Sequence, residues 1–235
     1  MVKFGNLLFH NRNWLFPLFY IILFIPSPEV FTNPVTAMVI GFSITLLGQI
    51  IRIITIGLVY IVRGGRNRTV YADNLVTTGI FSHCRNPLYV GNILILAGLG
   101  VASNSIIFIA IATPLFIFFY QAIVRAEENF LRNKFGHEFT DYCSRVNRWV
   151  PNLSGIGQTI ASMEFKWKRV IIREYNSTYI WMTGAVLIVM KHFYVHDDKF
   201  NFQENITVFI AILIVLLLLY FIARYLKKSK IISSD

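Results

Sequence analysis

Charge is scarce in this chain. Of its 235 residues only 14% are charged, with 12 acidic residues set against 22 basic ones. A soluble domain carries about a quarter charged residues. The shortage excludes an ordinary water-soluble globule and places the chain among membrane proteins. Cysteine is equally sparse. Cys84 and Cys143 lie far apart with no Cys-x-x-Cys spacing, so neither a disulfide framework nor a zinc site is expected. Internal repeats and low-complexity tracts are lacking too, which argues against a transporter built from repeats. What abounds is apolar: 55% of residues are hydrophobic, and the net charge is +10. In this composition the positive surplus fits a lipid headgroup surface rather than nucleic acid.

A helix needs about 20 apolar residues to cross a hydrocarbon layer roughly 30 Å thick. Residues 35–62, 106–124 and 206–223 meet that need, and 179–190 meets it with its flanks. Residues 15–30 are shorter and hold Pro17, Pro26 and Pro28. They read as a first span, tilted or broken, because no small-residue cleavage site follows them. Residues 88–102 pair with 106–124 through the turn Ala102-Ser103-Asn104-Ser105. The expected fold class is an all-α polytopic membrane bundle of about six transmembrane helices, with short cytosolic helices forming a cofactor pocket. Basic and non-basic loops alternate along these spans, which predicts cytoplasmic termini. The expected divisions are a core over 1–152, an interfacial amphipathic segment over 153–178, and two further spans with a basic tail over 179–235. Within them, helices are expected over 127–135, capped by Gly136, and over 138–146. Residues 163–175 read as a helix lying on the inner leaflet. His192 and His196 have a zinc-compatible spacing, but read as part of a solvated loop on the far side.

Two polar clusters flank the short hairpin 88–124. His83, Arg85, Asn86 and Tyr89 stand where it begins, and Arg125, Glu127 and Glu128 where it ends. Both ends lie on one membrane side, so the clusters are expected close together in space. Pro87 suits the first turn of a helix, whose N-terminus attracts an anion such as a carboxylate. The glutamates attract an ammonium or sulfonium. Gly98 and Gly100 lie between, where missing side chains admit either a flat group or another helix. Arg52 sits deep in the second span. A central arginine costs at least about 2.5–3.5 kcal/mol on insertion scales. It must therefore face an anionic acceptor, or a buried partner such as Gln49 or a backbone carbonyl.

The runs Leu-Val-Thr-Thr-Gly-Ile-Phe-Ser-His-Cys-Arg-Asn-Pro-Leu-Tyr-Val-Gly (75–91) and Arg-Ala-Glu-Glu (125–128) resemble the isoprenylcysteine carboxyl methyltransferase and phospholipid methyltransferase superfamily. Arg85, Pro87, Tyr89 and Gly91 match its first signature. Gly98 and Gly100 match its Gly-x-Gly, and Glu127 and Glu128 its Glu-Glu pair. Tyr142, Val146, Arg148 and Pro151 match its closing run, and Gly48 and Arg52 its Gly-x-x-x-Arg. Asn86 departs from the pattern, which has histidine there. An asparagine can donate and accept hydrogen bonds but cannot act as a base, and His83 is the nearby candidate to replace it. The resemblance implies S-adenosylmethionine as cofactor, bound by His83, Arg85, Asn86, Tyr89, Gly98, Gly100, Glu127 and Glu128. It implies a lipophilic acceptor arriving from the inner leaflet, and no metal. Arg52 and Arg148 are the cations to hold a carboxylate acceptor. Glu128, with Glu127 or Asp141, is the base an amine acceptor requires. A lipid-linked carboxylate is the expected acceptor, a phospholipid amine the alternative, and a non-catalytic scaffold or transporter the rival.

Overall fold

A computed structural model describes residues 1–59 and 70–229. Described residues are helical wherever they are regular, and no strand occurs among them. Helix α1 spans Val2–Ile22, α2 Pro34–Leu58 and α3 Pro87–Ala102. After a π-turn at Phe108–Ala112 come α4 (Thr113–Phe135), α5 (His137–Arg145) and α6 (Ile156–Ala161). Then follow α7 (Trp167–Val195), α8 (Asp197–Phe200) and α9 (Phe202–Lys228). Three of these stretches are long and apolar enough to cross a membrane: Pro34–Leu58, Phe108–Phe135 and Phe202–Lys228; Pro87–Ala102 is a shorter apolar helix. The protein is an all-α membrane bundle.

In hydrocarbon, helices are held by close packing between small residues rather than by a hydrophobic drive. The α2–α3 seam follows that rule. A Cβ at Gly41 would lie 2.2 Å from the Ala102 amide nitrogen, and one at Gly98 would lie 2.4 Å from Thr45 Oγ1. Gly100 is filled in the same way by the Phe108 ring. Helix α1 packs along α4 through Phe16, Phe19 and Phe116, with ring centroids 5.0–5.1 Å apart. Helix α7 lies on α2, α3 and α9. Helix α9 buries only Phe209 and Leu216; its other faces are apolar and exposed, as suits a helix bathed in lipid.

Local chemistry accounts for the helix ends. Asn33 Oδ1 accepts from the Val35 amide, 2.9 Å away, and Pro34 occupies the first turn of α2. The hairpin turn is closed by Asn104, whose φ of +55° suits an asparagine. Its amide holds the preceding loop: Oδ1 accepts from Val30 and Phe31 at 3.0 and 2.8 Å. Pro114 has no N–H for the helical bond to Ala110, and the π-turn sits directly before it. Gly136, at φ +53°, ends α4, as expected, and α5 covers the second expected cytosolic helix.

Three expectations are corrected. The first span does not run over 15–30: α1 begins at Val2 and stops at Ile22, because Pro26 and Pro28 cannot continue a helix. Residues 163–175 form no separate helix lying on the leaflet. Their larger part is the first turns of the 29-residue α7, since nothing between Trp167 and Tyr179 breaks the helix. His192 is not in a solvated loop. It is buried in α7, and its Nε2 lies 2.7 Å from the Ala102 carbonyl oxygen. The end of the expected second span, with Arg63, Arg66 and Arg68, lies outside the described residues.

Candidate functional site

The two ends of the α3–α4 hairpin meet. Tyr89 donates its hydroxyl to Glu127 Oε1 at 2.7 Å. Beside it, Glu128 lies between two guanidiniums. Arg148 reaches its carboxylate through Nε and Nη2 at 2.9 and 2.6 Å, and Arg85 Nη1 stands 3.4 Å from Oε1. Adjacent helical residues point about 100° apart, so the two glutamates serve different partners. Glu127 lies beyond the apolar run of residues 106–124, in the charged end of α4. Burial raises its carboxyl from 4.5 to about 7, against the opposing pull of the Tyr89 hydrogen bond and the Arg12 charge.

A cross-linked strap holds the Arg85 end in place. Residues 79–86 are stitched to 142–159 by several bonds: Tyr142 hydroxyl to Phe81 O at 2.7 Å, Arg85 N to Asn147 O at 2.9 Å, and Asn152 N to His83 O at 2.9 Å. Trp149 Nε1 donates to Gln121 Oε1 at 2.9 Å and ties this segment to α4. Tyr142 and Arg148, two residues of the closing motif, therefore build the wall that carries Arg85.

A cavity of about 920 Å³ opens between these parts. Arg85, Asn86, Tyr89, Glu127 and Glu128 line it, as does the loop of residues 70–76. The cavity continues inward past Tyr120 and Arg52 to Asn176, Ser177 and Ile180 of α7. At that depth Arg52 is 2% exposed and holds Glu174, itself 3% exposed, through two bonds of 2.8 and 2.7 Å. Asn92 accepts from Arg52 Nη1 and donates to the Tyr120 hydroxyl at 2.7 Å. A buried, bidentate ion pair of this kind is held electrically neutral.

The expected site residues thus divide. Arg85, Asn86, Tyr89, Glu127 and Glu128 are brought together on one cavity wall. His83 is not among them: its ring nitrogens lie 2.7 Å from Asn152 O and 2.8 Å from Thr159 Oγ1, so both are engaged in fastening the strap. Gly98 and Gly100 are also elsewhere, packed against α2 and Phe108 for want of space. Arg52 lines the cavity but is neutralised by Glu174, not by Gln49, which instead binds Trp181 and Thr178 on α7. Arg148 is committed to Glu128. Four functional candidates were missed: Asn92, Tyr120, Glu174 and Arg12. Asn92 was visible as an amide inside an apolar helix. Glu174 could have been sought as the counter-charge that a buried arginine demands.

Residues 36–138 match the family model of phospholipid methyltransferases. The matched stretch is under half of the chain. Three relatives are similar over part of the chain. The nickel-cobalt-cadmium resistance protein NccN of Alcaligenes xylosoxydans xylosoxydans is 42% identical over 83 residues, 35% of this chain and 38% of the relative. The cobalt-zinc-cadmium resistance protein CzcN of Cupriavidus metallidurans is 39% identical over 93 residues, 40% of each chain. Protein-S-isoprenylcysteine O-methyltransferase B of Arabidopsis thaliana is 32% identical over 117 residues, 47% of this chain and 57% of the relative. The chain therefore spans about two fifths to just over half the length of these relatives. No solved structure matches it.

The wall fits the cofactor of such a family. Arg85 Nε is buried with no partner among the described residues, a donor left for an incoming oxyanion. Glu127 and Glu128 supply negative charge nearby, and the volume is ample for a nucleoside-sized ligand.

Proposed function

We propose that the protein is an integral-membrane methyltransferase that uses S-adenosylmethionine to methylate a lipophilic acceptor. The observation that carries this reading is the closure of both hairpin ends around one cavity. Arg85, Asn86, Tyr89, Glu127 and Glu128 line it, and it continues to Tyr120 and Arg52 between the helices. In this reading the chain crosses the membrane six times, with both termini in the cytoplasm and the mouth facing the cytosol.

The cofactor supplies an already activated methyl group on a sulfonium. The protein's task is to hold the reactants in line and exclude water. Arg85 and the first turn of α3 hold a carboxylate. Glu127 and Glu128 balance the positive groups, and Tyr89 fixes the Glu127 carboxyl in place. The acceptor approaches from the inner leaflet into the passage beside Tyr120 and Asn92. For the acceptor, the reading is O-methylation of an isoprenylcysteine-like carboxylate, which needs no base. One observation favours a second reading, N-methylation of a phospholipid amine. A carboxyl raised to about 7 can take the proton an amine must lose.

The test is to incubate purified protein with methyl-labelled S-adenosylmethionine and a lipid and membrane-protein extract. Label is expected in a lipophilic product. Release of volatile methanol by alkali identifies a carboxyl ester, and alkali-stable label identifies a methylated amine. No incorporation into any lipophilic species would reject the reading.

A further inference from the structure

The arginines of the cavity are not equivalent. Arg52 is bound through two nitrogens to Glu174, and Arg85 stands against Glu128. Arg148, the other cation expected to hold an acceptor, is bound through two nitrogens to Glu128. Each already faces a carboxylate. Arg12 of α1 lines the same cavity and makes no hydrogen bond or ion pair with another described residue. Its guanidinium lies over the Phe9 ring, 4.0 Å from the centroid. Stacking covers one face of a guanidinium and leaves its in-plane donors available. An arginine fixed by an aromatic ring, with its edge unspent, is prepared for an oxyanion.

Its place in the bundle bears on where such an oxyanion comes from. Helix α1 packs on α4, and α7 packs on α2, α3 and α9. The two touch near Tyr20, whose ring a Cβ at Gly184 would approach to 3.3 Å. Towards the cytosolic side they line the cavity instead, through Asn13 and Pro17 on α1 and through Asn176 and Ile180 on α7. Pro17 has no N–H, so the carbonyl of Asn13 lacks its helical donor there. The cavity thus reaches between α1 and α7 past Asn13 and Asn176 as well as Arg12. Both helices lie outside the matched stretch, residues 36–138, so this subsite belongs to the chain's own flanks.

We propose that Arg12 is the anion-binding residue of the acceptor site, holding the carboxylate or phosphate of a membrane-borne acceptor that arrives between α1 and α7. This rests on the methyltransferase reading for its purpose but not for its test. A held carboxylate is itself the nucleophile: its oxygen forms the new bond to the methyl carbon as the carbon–sulfur bond breaks, with the electron pair left on sulfur. A held phosphate only anchors a headgroup whose amine reacts.

The experiment uses the full chain in maltoside micelles without the methyl donor. Binding is measured for two anionic probes, N-acetyl-farnesylcysteine and phosphatidic acid, and for their neutral counterparts, N-acetyl-farnesylcysteine methyl ester and diacylglycerol. At least one anionic probe should bind at least tenfold tighter than its counterpart. R12Q should remove that preference, and R12K should recover most of it. Which probe shows the preference identifies carboxylate or phosphate. S-adenosylmethionine titrated into the same samples at pH 9, where Glu127 is ionised with or without the Arg12 charge, should bind R12Q within twofold of the unaltered protein. The proposal falls if neither anion is preferred, if R12Q keeps the preference, or if R12Q instead loses the donor, which would place Arg12 in the donor site. Failure of the unaltered protein to bind the donor would overturn the methyltransferase reading alone, since the probe titrations still decide the subsite.

Discussion

Glu127 and Glu128 are neighbours in sequence with opposite circumstances. Glu128 is met by two guanidiniums. Glu127 has one phenol against it and is raised to about 7 by burial. The sign of its pH effect follows. The carboxylate form attracts a cationic donor, and it is lost as pH falls through about 7. Calorimetric affinity for S-adenosylmethionine should therefore weaken below neutrality, approaching about tenfold per pH unit, and E127Q should abolish that slope. Stability runs the other way. The unfolded carboxyl ionises near 4.5 and the folded one near 7, so ionisation favours the unfolded chain, and stability is lost as pH rises across that window. E127Q should unfold at a higher temperature than the unaltered protein at pH 8 and at a similar one at pH 4.5. Thermal melts at the two pH values check this.

At the scale of elements, the α2–α3 seam and the α2–α7 ion pair carry the bundle. Gly41 is filled by the Ala102 backbone, so G41L must push the helices apart and should cost about 1–3 kcal/mol or more, seen as a lowered melting temperature. Arg52 and Glu174 are both nearly fully buried. Removing either alone, as R52M or E174M, should destabilise by about 3–5 kcal/mol, while the double replacement R52M/E174M should recover most of the loss. A double-mutant cycle by thermal melts reads the difference; a double replacement that costs the sum of the two single ones would contradict a coupled pair. Much of this was legible in the sequence. Pro87, Gly136 and the Ala102–Ser105 turn mark helix ends by their own chemistry, and the boundaries of α3 and α5 follow from them. The arginine in the second span announced a partner, but not which one. Glu174 is 122 residues away and sits in a stretch whose mixed pattern suited an interfacial helix equally well. His83 shows the same limit. Its position beside Arg85 suggested a ligand contact, yet side-chain direction is set by the 142–159 segment that folds over it, and no local pattern reports that.

For the whole molecule, the stretch matched by the family model supplies the α2–α4 framework, and the flanks complete the cavity. Helix α1 closes one side with Arg12 and Tyr20, and α7 closes the other with Asn176 and Ser177. Helix α9 packs on α7 and shows lipid an apolar surface. The proposed six-crossing topology would place Asn201 outside and Ser154 in the cytosol. Single cysteines introduced there should be labelled by an impermeant maleimide from outside only at residue 201; labelling of both from one side would overturn that topology. The core of the account is that the two hairpin ends form one site for a methyl donor, and calorimetric titration of S-adenosylmethionine into the purified protein tests this most directly. Saturable binding by the unaltered chain, lost in the folded double variant E127Q/E128Q, is the result expected. Absence of binding, or affinity that survives the double change, would contradict it.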